Sequence, residues 1–135
     1  MKLAKIATLV LFVVGCASIS QYSHYAYIQA VNLKVDSLNL MDNGVEEFSQ
    51  HEKEVKDLTL NIEKAYQYEK GRPKNDETTK MWEILKSPDR DLLGGFFTLW
   101  KKQGKLNEMY IAEKKKQIEK AFDEIIGLES GKIKK

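Results

Sequence analysis

Residues 45–70 read VEEFSQHEKEVKDLTLNIEKAYQYEK, and this stretch decides the fold. Phe48, His51, Val55, Leu58, Ile62 and Ala65 recur alternately three and four residues apart. That spacing gathers them on one side of an α-helix and leaves Glu, Lys, Asp and Gln to solvate the other. The seam lasts for fewer than three heptads, so a helical hairpin or bundle explains it as well as a coiled coil does. Upstream, a helical stretch from about Ser20 to Met41 places Ile28, Val31, Val35 and Leu38 on one face. Asp42-Asn43-Gly44 interrupts it. Either Asn43 or Gly44 ends one helix and Asn43 caps the next, or a single helix continues through a weak point.

Downstream, Gly71 to Asp76 form the clearest connection, because Pro73 biases Arg72 away from helix. A helix with Met81, Trp82, Ile84 and Leu85 follows. Ser87-Pro88-Asp89 reads as a helix start, with proline at the first helical position. From Pro88 to about Leu128 the residues Leu93, Phe97, Trp100, Ile111, Ile118, Ala121, Ile125 and Leu128 share one face. Unbroken, such a helix would reach about 60 Å, although Gly94, Gly95 and Gly104 interrupt its first half. No strand pattern of useful length appears. The expected fold is all-α: an elongated helical hairpin or a bundle of three or four helices, with a loop at about 71–76 and a loose tail at about 130–135.

The N-terminus has a different build. Lys2 and Lys5 flank a charged start, Ile6 to Val14 is apolar without a charge, and Val13-Val14-Gly15-Cys16 closes the run with the only cysteine of the chain. The apolar run is too short to span a bilayer, which takes about 20 residues, and Ser18, Ser20, Gln21, Ser23 and His24 follow it. This is the build of a secretory signal segment, and its last four residues resemble the lipobox of bacterial lipoproteins. The resemblance covers residues 1–17. It implies cleavage between Gly15 and Cys16, lipidation of Cys16, and a single periplasmic helical domain over residues 16–135. The several acyl chains of such lipoproteins would give lasting attachment where one chain does not. Ala17 stands where an aspartate tends to retain lipoproteins at the inner membrane. The implied place is therefore the outer membrane facing the periplasm, or the cell membrane in a host with one membrane.

Charge narrows the partners. The chain carries 22 Lys and Arg against 20 Asp and Glu, and without Lys2 and Lys5 the two signs balance. A nucleic-acid binder shows a basic excess, so that class is disfavoured. The balance hides an asymmetry. Residues 34–63 hold eight acidic and three basic side chains, whereas residues 100–120 hold seven basic and three acidic. The two segments either pair across the bundle or each form a solvated face.

Catalytic signatures are sparse. His24 and His51 are the only histidines. His51 has Glu47 and Glu54 about one helical turn away, an incomplete metal set that reads better as a satisfied seam histidine. Neither a nucleophile elbow nor a paired-histidine zinc motif occurs. The sequence reads as non-enzymatic, with no metal and no cofactor. Leu92 to Trp100 is the most apolar stretch beyond the signal segment. It serves the core or exposes a partner surface, for which Trp82, Phe96, Phe97 and Trp100 are the candidates. The functional expectation is a membrane-anchored interaction or scaffold protein with a protein partner in the envelope. The alternatives are a tether between membrane and peptidoglycan through Lys135 and an accessory subunit of an envelope or secretion assembly.

Overall fold

Five α-helices account for most of the described residues, 19–134, in a computed structural model. They are α1 (His24–Asp42), α2 (Phe48–Lys70), α3 (Asp76–Lys86), α4 (Leu93–Gln103) and α5 (Glu108–Gly131). Short 3-10 turns follow α1 at Asn43–Val45 and α5 at Lys132–Lys134. No strand occurs among the described residues. The all-α bundle expected from the periodicity is present.

The helices form four columns. α1 packs against α2 and α5, α2 packs against α3 and α4, and α3 returns to α5. The third column is divided, α3 filling its first half and α4 its second. Leu93 and Gly94 at the start of α4 lie beside Ile62 of α2. At the end of α4 the Gly104 carbonyl accepts from the Phe48 amide at 2.8 Å, so α4 runs along α2 toward its N-terminus.

Burial on α2 follows the seam: Val55, Leu58, Ile62 and Ala65 are buried, with Phe48 and His51 half-buried. α1 departs from expectation. Its buried residues are Ala26, Ala30, Leu33, Ser37, Leu40 and Met41, while Ile28 and Val35 are 41% and 57% exposed. α1 is wedged between two neighbours, and small side chains along the strip let both helices approach. Close packing outranks the count of branched apolar residues. α1 also starts later than expected, because Ser23 caps it, its Oγ accepting from the Ala26 amide at 3.1 Å.

The single long C-terminal helix does not form. Residues 87–92 turn, α4 begins at Leu93, and Gly104 at φ 82° ends it. Ser87-Pro88-Asp89 lies in that turn and starts no helix. Gly94 and Gly95 fit this geometry. A Cβ on Gly94 would stand 2.3 Å from the Lys86 carbonyl oxygen, and one on Gly95 would stand 1.9 Å from that of Arg90. Both obstacles are backbone, which cannot rotate away. Gly95→Ala is therefore expected to cost about 1–3 kcal/mol. Gly127→Ala in α5, where a Cβ meets nothing within 4 Å, should hold or raise stability through helix propensity. Thermal unfolding of the two variants, followed by circular dichroism, checks the contrast.

The break between α1 and α2 falls at Asp42-Asn43-Gly44, with the chain leaving the helix as a 3-10 turn. The two breaks are tied together: the Leu106 amide donates to the Gly44 carbonyl at 2.7 Å, and Trp100 Nε1 donates to the Glu46 carbonyl at 3.0 Å.

The four aromatic residues nominated as a partner surface lie inside. Trp82 is 1% exposed, Phe96 1%, Phe97 7% and Trp100 0%. Phe96 stacks on Tyr110 with centroids 6.2 Å apart, and Trp82 meets Phe122 edge to face at 5.9 Å. The apolar run that looked too large for one helix surface is hidden because α4 is short and enclosed at the junction of α2, α3 and the loop before α5. The tail was also expected to be loose from residue 130. Instead α5 continues to Gly131 and Lys132 is buried.

Candidate functional site

At one end of the bundle, the residues just before α1 meet the end of α2, the loop before α3 and the end of α5. Glu69 extends the α2 seam by one turn beyond Ala65, and Glu129 extends the α5 strip beyond Ile125. Both glutamates are only 2% exposed. A buried carboxylate requires paired charge and filled hydrogen bonds. Arg72 supplies both, donating through Nη1 to Glu69 at 2.9 Å and through Nη2 to Glu129 at 2.8 Å. Lys132 Nζ donates to Glu129 at 2.6 Å, to Asn75 Oδ1 at 2.9 Å and to Ser20 Oγ at 2.8 Å. The Asn75 amide in turn donates to the Glu69 carboxylate and to the Glu69 backbone carbonyl. Two acids and two bases close the set without net charge.

The cluster grips the N-terminal arm. Arg72 Nη2 donates to the Gln21 carbonyl at 2.6 Å, and the Ser23 amide donates to Glu129 at 2.8 Å. The Ser20 amide donates to the Lys74 carbonyl at 2.9 Å, where Lys74 takes a left-handed backbone with φ 56°. Residues 20–23 are thus held by side chains from three other parts of the chain. Burial pushes the Glu129 carboxyl up, but hydrogen bonds from Arg72, Lys132 and the Ser23 amide outweigh it and hold it below the usual range. For Arg72, burial works against the charge, and the two glutamates overcome it to raise the guanidinium further.

His51 sits at the opposite end. Its Nε2 lies 2.9 Å from Glu46 and its Nδ1 3.4 Å from Glu54, and the ring packs 5.6 Å from Trp100. The hydrogen bond to Glu46 raises its pKa, burial opposes this, and Glu54 adds to the rise. Glu46, rather than Glu47 one turn before His51, meets the imidazole. Among the described residues no group of three or more His, Cys, Asp or Glu is placed to hold a metal ion. The acidic and basic segments pair across the bundle at Asp42–Lys115 (2.6 Å) and Glu47–Lys105 (3.7 Å). Lys34 reverses the pattern by pairing with Asp123 of α5 at 2.6 Å.

Gly15 and Cys16, the expected cleavage and lipidation positions, lie outside the described residues, as does Lys135. Among the described residues no helix is long and apolar enough to cross a membrane. Ser20, Glu69, Arg72, Asn75, Glu129 and Lys132 were not singled out from the sequence. A readable signal existed for Glu69 and Glu129, each of which falls in register with an apolar strip. No protein family, curated protein or solved structure matches this chain, so the functional reading rests on its own residues.

Proposed function

We infer that this chain is a membrane-anchored lipoprotein whose helical domain serves as a non-enzymatic interaction or scaffold protein at the cell envelope, at the outer membrane facing the periplasm where the host has one. The observation that carries the reading is Val13-Val14-Gly15-Cys16, with the only cysteine placed at the end of an uncharged apolar run. The engagement of both His51 nitrogens by Glu46 and Glu54 supports a structural role for the one seam histidine.

The test is fractionation and mass spectrometry of protein made in a bacterial host. The expected product begins at Cys16, carries acyl groups there and sediments with membranes. Cys16→Ala is expected to leave the signal segment uncut and the protein without acyl groups. A wild-type chain that keeps residues 1–15 and bears no acyl group overturns the reading.

A further inference from the structure

We propose that the end of the bundle built around Glu69, Arg72 and Glu129 seats directly on an anionic lipid surface, so that the domain stands upright on the membrane. The proposal rests on the anchoring reading above and adds an orientation to it. Four residue steps separate Cys16 from Ser20, which an extended chain spans in about 14 Å at most. Ser20 is fixed to the Lys74 carbonyl and the Lys132 ammonium. The far end of the bundle is about 35 Å away along α2. An acylated Cys16 therefore brings this end, and not the end at His51, within reach of the headgroups.

The side chains there suit a headgroup layer. Tyr25 and Tyr68 are 59% and 37% exposed, and their rings meet edge to face at 4.8 Å beside the gripped arm. Tyrosines of this kind sit well at a bilayer interface, with an apolar ring and a polar tip. Ile133, next to Lys132, is 63% exposed. Lys70 and Lys74 are exposed on either side of Arg72, and basic residues near an anionic surface are drawn to it. The acidic neighbours of Lys74 are Asp76 and Glu77 in the first turn of α3.

Charge also separates an upright domain from one lying on its side. The α1–α2 face exposes Ile28, Val35 and Leu60. The groove beside it is lined by Asp36, Glu54 and Asp57, which an anionic surface repels, with Lys53 paired to Asp57 at 2.8 Å offsetting one of the three.

The experiment uses the full-length precursor, expressed in bacteria, purified and reconstituted into vesicles of phosphatidylcholine and phosphatidylglycerol in equal parts. Lys74→Cys, Val35→Cys and Lys102→Cys place a fluorophore at the seated end, on the side and at the far end, and a spin-labelled headgroup lipid acts as quencher. Quenching at position 74 alone is expected. It should weaken when Lys70→Glu is added to Lys74→Cys and on raising the salt concentration. Quenching at position 35 means a domain lying flat, and quenching at 102 an inverted one. Either result, or no quenching at any position with Cys16 acylated, overturns the seating alone. Mass spectrometry of the same samples reads the anchor. An unacylated Cys16 overturns the anchoring reading and the seating with it.

Discussion

Glu129→Ala is expected to destabilise the protein by about 3–5 kcal/mol, the cost of removing one partner from a buried charge set. The carboxylate accepts from Arg72, from Lys132 and from the Ser23 amide. Without it, Lys132 stays buried with only Ser20 and Asn75 as partners, both neutral. Arg72 keeps Glu69 but loses its second acid. In a domain of this size the loss should lower the thermal midpoint by about 10 °C or more. Glu129→Gln keeps the shape and removes the charge, so it should recover only a small part. The pH dependence carries a sign. The folded carboxyl is held below its usual range, so its contribution is complete above the unfolded glutamate value and fades as pH falls through the depressed folded value. The gap between wild type and Glu129→Ala should therefore narrow in strong acid. A gap that stays constant down the whole acid limb would mean that the carboxylate is not the source of the stability. Hydrogen exchange adds a local readout. The Ser23 amide should be protected in the wild type and exchange faster in the variant, because its acceptor is gone.

The helical class was legible because α2 states it twice, in the seam from Phe48 to Ala65 and in the polar residues between. The chain breaks at Asp42-Asn43-Gly44 and at Gly71 to Asp76 were legible because turn residues cluster there. The division of the last helix was only half legible. Gly94, Gly95 and Gly104 were visible, but what they permit is a close approach to the carbonyls of Lys86, Ser87 and Arg90, a tertiary fact that periodicity does not carry. The face of α1 was misjudged for a related reason. Ile28 and Val35 obey helical spacing, yet Ala26 and Ala30 face inward because two neighbours must come close. Of the buried cluster, Glu69 and Glu129 could have been suspected from a charge in register with an apolar strip. Their partners could not. Ser20 and Lys132 are 112 residues apart, and only the finished fold joins them.

Trp100→Ala is the second large expected effect, and it bears on how a partner should be sought. The indole is fully buried. It meets Phe48 edge to face at 5.5 Å, lies 6.3 Å from Phe96, and fastens the start of α2 through the Glu46 carbonyl. Truncation leaves a large cavity and an unpaired carbonyl, at a cost of about 3–5 kcal/mol. Trp100→Phe should cost less, because the ring volume largely remains while the Glu46 bond is lost. Any loss of a co-purifying partner in Trp100→Ala would then track unfolding and would say nothing about a binding surface. Exposed positions make the fair comparison. Val35→Asp and Leu60→Asp lie on the surface and should change stability by less than about 0.5 kcal/mol, so a partner lost there is lost through contact. Urea titrations of all four variants separate the two cases. A Trp100→Ala protein with the wild-type midpoint would place the indole on the surface, and the aromatic run of α4 would return as the binding face.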